Sequence, residues 1–446
     1  MYADAVSRAA YKPRPIFCII ACMENTVIII GAGAAGLLAA RDLAKAGYLV
    51  TVLEANNRTG GRIHTLAAPG FGQPIELGAE FIHGRMPVSF ALLEEAGLRH
   101  KKITGSMVRV KNGRWQQQDD FTIDWNLLME KLAELKEDMT MAHFLQTRFA
   151  GDEYAVLRDS VQRFAEGFDV ADINQVSALA LRREWSHEEQ EQYRVAGGYG
   201  LLIQFLEKQC IAEGVIIHTV CVVKKITWKR GHVQVTNAIR QSFTAHKLLI
   251  TVPIGVLCAG PGRPAGMEFA PVPEAYLQAA GNIGYGAVTK LLLQFGTPFW
   301  NSYSPNPGFI ISEESIGTWW TQGRPGSSLL TGWAGGPRSA RLGELDEAAI
   351  IQAGLQSLAG IFNKTVHALH ADLVAAKAVS WQQEPFSLGA YSYDTIHTAA
   401  ARQVLRQPIE NTLFFAGEAL YEGPSPGTVE AALTSGREAA GRIMEI

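Results

Sequence analysis

The sequence has little cysteine: five residues, at positions 18, 22, 210, 221 and 258, with no C-x-x-C pair. That spacing offers neither a disulfide framework nor a metal site, and a reducing compartment is the default expectation. An excess of one charge is also missing. The 40 Lys and Arg nearly balance the 43 Asp and Glu, for a formal net charge of −3. Nothing electrostatic therefore argues for a nucleic-acid partner. No apolar run reaches the length of a membrane span. There is no internal repeat, no low-complexity tract and no Ser-His-Asp or Cys-His nucleophile arrangement. At 446 residues, 47% hydrophobic and 19% charged, the chain is long enough for two or three domains with a large core.

What is present concentrates at residues 26–62. Thr26 to Ile30 is an apolar, β-branched run of strand length, and Tyr48 to Leu53 is a second. Leu37 to Ala46 between them predicts a helix ended by Gly47. Gly31, Gly33 and Gly36 follow the first strand in the spacing G-x-G-x-x-G. Gly31 suits a tight turn, and Gly33 lets the backbone approach a pyrophosphate. Gly36 lets the helix pack close, and the helix N-terminus offers free N–H groups to phosphate. Ala35 and Ala55 belong to the same cradle. Glu54, at the end of the second strand, stands where an acid accepts from a ribose hydroxyl. The unit predicts dinucleotide binding on an α/β, Rossmann-type domain.

After Glu54 come Arg58, Gly60, Gly61 and Arg62, the pattern R-x-G-G-R. With this second loop the stretch resembles the N-terminus of the flavin-containing amine oxidases. That family includes monoamine, polyamine and L-amino-acid oxidases and the lysine-specific histone demethylases. The resemblance runs from about residue 26 to the C-terminus and is weak between 100 and 195. It implies FAD, with Gly61 and Arg62 reaching it from the second loop. One departure is Asn56-Asn57, where the family commonly has Arg-Asp. The implied layout is an FAD domain in three pieces (23–95, 196–275 and 376–446) and an α+β substrate domain in two (96–195 and 276–375). Residues 1–22 imitate a short signal peptide, with Arg8, Lys12 and Arg14 before the run Ile16 to Cys22. They are read as an extension outside the fold, and the protein as cytoplasmic, with export as the alternative.

The implied site residues are spread along the chain. The stretch Glu76-Leu77-Gly78-Ala79-Glu80-Phe81-Ile82-His83-Gly84 resembles one in polyamine oxidases. It places Gly78, Ala79 and Glu80 beside the flavin and His83 at the active-site histidine. Val223, three residues before Ile226, matches a valine whose backbone meets the adenine. Lys290 sits in an otherwise apolar strand, on the face with Val288 and Leu292. It matches the family's lysine that holds a water against flavin N5, and a buried ammonium needs a partner. Trp381 and Tyr391 match the segment in front of the flavin, with Tyr391 as one wall of an aromatic cage. Ala390 stands where monoamine oxidases carry a cysteine linked to the flavin, so the FAD is expected to be non-covalent.

Towards the C-terminus, Gly417 and Glu418 match the contacts to ribityl and pyrophosphate. A helix beginning near Thr428 brings the Val429 backbone to the ring. Thr428 replaces a second cage tyrosine, which favours a longer amine. Asp119, Asp120, Glu188, Glu189 and Glu191 are the candidates for receiving a distal ammonium. The expectation is an FAD-dependent amine oxidase acting on a small-molecule amine with O2 as acceptor, as a monomer or homodimer. The alternatives are an amino-acid oxidase or desaturase, and an FAD-carrying interaction protein with little turnover.

Overall fold

The structure, a computed structural model, describes residues 25–111, 113–117, 124–187, 191–323 and 326–445. The extension at 1–22 and the candidate acids Asp119, Asp120, Glu188 and Glu189 lie outside the described residues. Among the described residues, no helix is long and apolar enough to cross a membrane.

Strand Thr26–Ile30 lies in the middle of a five-stranded parallel sheet. The order is Ile216–His218, Leu49–Leu53, Thr26–Ile30, Lys247–Ile250 and Leu413–Phe415. Both faces are covered, which is why these strands are apolar without alternation. Val27 and Ile29 pack with Leu37 and Leu38 of helix Ala34–Lys45, Leu202 and Leu206 of helix Gly200–Ala212, and Leu433 of helix Val429–Met444. Ile28 and Ile30 face Val233 and Val235 of a four-stranded sheet on the opposite side. Strand order reverses on either side of Thr26–Ile30, and ligands of such sheets bind in the crevice opened there.

The first helix begins at Ala34 rather than at Leu37. Its first turn is threaded through the glycines: a Cβ on Gly36 would stand 2.0 Å from the Gly31 carbonyl oxygen. Gly31 itself has φ +105°, which favours glycine.

A second, seven-stranded sheet contains Leu373–Ser380, Val288–Phe295, Leu329–Gly335, Thr318–Thr321, Pro307–Ser312, Ser106–Lys111 and Arg114–Gln117, in that order. Its neighbours are antiparallel except Pro307–Ser312 beside Ser106–Lys111. Leu291 and Leu293 pack under helix Glu347–Phe362, while Leu292 meets Ile75 and Leu77 on the other face. Residues 376–380, expected in the FAD domain, are thus part of this sheet. Helices Trp125–Ala133, Met141–Arg148, Ala155–Gly167 and Ala178–His187 build a separate core around Phe144, Val161 and Leu181.

Helix Pro87–Glu95 has a proline in its first turn. Its cap comes from far along the chain. The buried Glu430 carboxylate accepts from Val88 N at 2.8 Å, and from Ser89 N and Oγ at 2.7 Å each. Replacing Glu430 by Ala should strand these donors and lower stability by about 2–4 kcal/mol. Urea unfolding of Glu430→Ala beside the wild type checks this, and an unchanged midpoint would contradict it.

Candidate active site

The crevice opens into one cavity of about 1180 Å³, larger than the roughly 300–1,000 Å³ of a typical small-molecule site. It runs from Gly31 and Glu54 at the parallel sheet and Val223 of the four-stranded sheet to Asp159 and Arg163 on helix Ala155–Gly167. Every flavin-side and amine-side residue expected from the resemblance lines it, except Gly36, whose task is packing; the candidate acid Glu191 does not.

The first end fits a dinucleotide. No atom lies within 4 Å of where a Cβ on Gly33 would stand, so the cavity reaches this backbone unobstructed. The second loop comes up beside it, with the Cβ position of Gly61 3.5 Å from Gly33 Cα. The N-terminus of helix Ala34–Lys45 opens here, with Ala34 and Ala35 on the wall. The Glu54 carboxylate is buried and accepts from Ala32 N at 2.8 Å. Its other oxygen accepts from Asn56 N at 2.8 Å and Asn56 Nδ2 at 3.0 Å. Asn56, the departure in the sequence pattern, therefore turns onto Glu54, and of the carboxylate's four acceptor sites one, on Oε2, is left for a hydroxyl. Ala55 and Val223 complete this end, tied in by the Cys221 N–H, which donates to the Glu54 carbonyl at 2.8 Å.

In the middle, three distant segments meet. Arg62 Nη1 donates to the Ala390 carbonyl at 2.7 Å and to Glu418 Oε1 at 2.8 Å. Glu418 Oε2 accepts from Ser392 Oγ at 2.7 Å. Burial alone would lower the Arg62 pKa, but Tyr285 and Glu418 outweigh it and raise it. Gly417 has φ +147°, which lets the chain turn from strand Leu413–Phe415 into this junction. Thr428 caps helix Val429–Met444: its hydroxyl accepts from Ala431 N at 3.1 Å and donates to the Ser425 carbonyl at 2.7 Å. The positive end of that helix, with Val429, faces the cavity. Gly427 abuts Tyr391, since a Cβ there would lie 2.9 Å from Tyr391 Cδ2.

The far end carries charge within an aromatic wall. Lys290 is 1% exposed and donates to Glu80 Oε2 at 2.8 Å and to the Gly78 carbonyl at 3.1 Å. Glu80 Oε1 faces Arg194 Nε at 2.8 Å. Burial pushes the Glu80 carboxyl up, but Lys290 and Arg194 prevail and hold it below the usual carboxylate range. The Glu80 carboxylate is thus engaged by two cations, while the residue itself lies on the cavity wall beside Gly78 and Ala79. Gly78 admits no side chain, because a Cβ would stand 1.8 Å from the Arg62 carbonyl oxygen and 3.0 Å from Trp381 Cζ2. Trp381 donates to the Leu77 carbonyl at 2.9 Å. Tyr391 donates to the Phe168 carbonyl at 2.6 Å and stacks on Trp333 at 6.4 Å between centroids. His83 meets Phe81 and Phe168 edge-on, at 6.0 and 6.1 Å.

Several lining residues were not anticipated: Trp320, Trp333, Asp169 and Glu184. Arg194, also unanticipated, does not line the cavity but contacts Glu80, which does. The Trp319-Trp320 pair inside an apolar strand was the one available signal. Asp169 accepts from Trp185 Nε1 at 3.1 Å. Burial, reinforced by Asp394, pushes the neighbouring Glu184 carboxyl up to about 8, against Arg402 and Arg183. Of the acids expected to serve the substrate, the described Glu191 pairs instead with Lys102 and Tyr193 at the surface. Among the described residues, no group of three His, Cys, Asp or Glu could hold a metal ion.

Burial drives the His83 imidazole down to about 4, so it is neutral at physiological pH. A depressed folded-state value contributes stability above the unfolded pKa, and that stability is lost as pH falls through the folded one. The stability gap between wild type and His83→Asn should therefore shrink as pH falls from roughly 6.5 towards 4. A gap constant over that window in urea titrations would contradict a neutral His83.

Comparisons with known proteins give the family and the fold. The family model described as flavin containing amine oxidoreductase matches residues 34–444. Polyamine oxidase 2 of Arabidopsis thaliana is 28% identical over 93% of this chain and 87% of its own length. Human lysine-specific histone demethylase 2 is 28% identical over 94% of this chain but only 53% of its own length. The chain thus spans about half of that relative, and 30% of lysine-specific histone demethylase 1 homolog 3 of Arabidopsis thaliana. Among solved structures, putrescine oxidase bound to putrescine has a TM-score of 0.77 at 19% identity, covering 95% of this chain and 99% of that one. Cyclohexylamine oxidase from Brevibacterium oxydans has a TM-score of 0.77 at 22% identity, covering 94% and 98%. These two similarities show the fold. The family match spans nearly the whole chain, from the glycine cradle to the last helix, and it makes this protein a member of the flavin containing amine oxidoreductases, with FAD as its cofactor.

Proposed function

We propose that the chain oxidises an extended amine, a polyamine or another long amine, to the imine and thence the aldehyde, with O2 as acceptor. The observation that carries this reading is the placement of Asp169 and Glu184 in the same cavity as Lys290 and Tyr391. Acids on that wall suit a second, distal ammonium. When bound, FAD supplies the two-electron acceptor for the carbon next to nitrogen.

The chain's own residues then bind, orient and exclude water. Gly31, Gly33, Ala35, Glu54, Ala55, Gly61, Arg62, Val223, Gly417, Glu418 and Val429 would hold the dinucleotide. Gly78 and Ala79 leave room for a flat ring. Trp381, Tyr391 and Trp333 form walls for a neutral amine, and Thr428 keeps one side open for its extension. The neutral His83 can donate or accept one hydrogen bond without repelling an amine. Lys290 brings a fixed positive charge to the wall where negative charge develops. A carboxylate-bearing amine is the second reading, favoured by Arg109 and Arg163 on the outer wall.

Ala390 lies on the cavity wall without a thiol, so the FAD should be bound without a covalent link. Acid precipitation of the purified protein should leave the yellow colour in the supernatant, and colour held in the pellet would contradict this. Glu54→Ala should weaken FAD retention by roughly 1–3 kcal/mol, for the loss of one charge-assisted hydrogen bond.

Substrate choice is tested by peroxide release from spermidine, an alkylamine of equal length, benzylamine, a methyl-lysine peptide and L-amino acids. Spermidine should exceed the alkylamine in kcat/KM by about tenfold, or about 1.4 kcal/mol. Glu184→Gln should raise KM for spermidine and leave the alkylamine unaffected. An alkylamine or benzylamine as good as spermidine would overturn the extended-amine reading.

A further inference from the structure

We propose that Glu80 and Arg194 are positioning residues for Lys290, and that the three together set the charge of the cavity wall beside Gly78 and Ala79. The proposal rests on the reading that Lys290 works next to the bound flavin.

The three come from separate parts of the chain. Glu80 follows the Gly78-Ala79 pair, Arg194 is on strand Gln192–Val195, and Lys290 is on strand Val288–Phe295. They meet inside the protein, with side chains 5%, 15% and 1% exposed. A free lysine side chain has many rotamers. Here Nζ has two acceptors on one side, Glu80 Oε2 at 2.8 Å and the Gly78 carbonyl at 3.1 Å. Both draw it towards the small residues that leave space for a ring.

Glu80 is held as firmly. Its second oxygen faces Arg194 Nε at 2.8 Å, and Trp320 Nε1 lies 3.2 and 3.3 Å from its two oxygens. Arg194 is anchored in turn by the Thr321 carbonyl at 3.1 Å and by the Phe81 ring, 4.8 Å below its guanidinium. The Trp320 ring also lies 5.5 Å from Lys290 Nζ. The next carboxylate, Glu76, is occupied by Thr65 and by Tyr199 N.

One carboxylate thus serves two cations, and the wall keeps one net positive charge. Removing the carboxylate would leave two buried cations facing each other, which is costly, and would release Lys290 from its direction. It would also make the wall more positive. A more positive wall favours the electron-rich form of whatever ring lies against it. Removing Arg194 would have the opposite electrostatic effect while leaving the Lys290–Glu80 contact in place.

The test uses FAD-loaded protein: wild type, Glu80→Gln, Glu80→Asp, Arg194→Gln, Lys290→Met and the double variant Glu80→Gln/Lys290→Met. Two quantities are read, the midpoint potential of the bound FAD and the rates of the two half-reactions. Glu80→Gln should shift the potential positive and Arg194→Gln should shift it negative. Glu80→Gln should slow turnover at least tenfold, add nothing once Lys290 is Met, and be partly relieved in Glu80→Asp. Potentials that stay put or move the same way in both variants, or slowing that adds to that of Lys290→Met, would overturn the proposal. If Glu80→Gln does not fold, the sign of the Arg194→Gln shift decides alone. Unchanged half-reactions in Lys290→Met would instead overturn the reading of Lys290, which the potentials do not depend on.

Discussion

The molecule depends on the pairing of strand Thr26–Ile30 with two parallel neighbours, one following it directly and one more than 200 residues away. Each of its side chains is needed on a covered face, so the register is fixed by burial on both sides. Because strand order reverses there, the loops after Ile30 and Ile250 part and leave a crevice between them. Gly31 and Thr251 stand at its mouth, close enough that a Cβ on Gly31 would lie 2.8 Å from Thr251 Oγ1. The remaining site segments are laid along that crevice, and the Arg62–Glu418 contact ties the loop after the second strand to the C-terminal junction.

The cavity that results handles charge in one consistent way. Its cations are matched at short range, Arg62 with Glu418 and Lys290 with Glu80, which Arg194 also meets; the buried Glu54 is satisfied by N–H donors instead. In a medium of low dielectric such pairing is what allows charge inside at all. Between these pairs the wall is aromatic, with Trp320, Trp333, Trp381 and Tyr391 fixed by hydrogen bonds from their polar edges. A surface of this kind excludes water and suits a neutral amine, while Asp169 and Glu184 bring acids into the same cavity, the latter a carboxyl that burial keeps largely protonated until a cation approaches.

Local features were legible in the sequence. The strand, glycine turn, helix, strand and acid of residues 26–54 are contiguous, and their pattern carries its own geometry. The facing of Lys290 followed from strand alternation alone. What was not legible depends on contacts between distant residues. Nothing near Lys290 announces Glu80 as its partner, and Arg194 lies in the stretch where resemblance is weak. The start of helix Pro87–Glu95 carries a local signal in Pro87, but its cap, Glu430, is supplied from the last helix and nothing in residues 80–100 reveals it. The acids of the substrate side show the same limit. A cluster of glutamates near 190 draws attention, but Glu191 spends its charge at the surface, whereas the isolated Asp169 and Glu184 are carried inward by their helical core. Residues 376–380 fell within the FAD segment that the resemblance implied, yet their backbone pairs with the strand of Lys290.

The central claim is that the dinucleotide cradle and the amine pocket are two ends of one cavity, so that an amine reduces the bound FAD directly. Anaerobic mixing of the FAD-loaded protein with spermidine, followed by flavin absorbance, tests it most directly. The account predicts that the visible flavin band bleaches in one phase, at a rate that saturates with spermidine concentration, and returns when oxygen is admitted. A protein that binds FAD one to one, yet keeps its flavin oxidised with every amine of the panel, would contradict it.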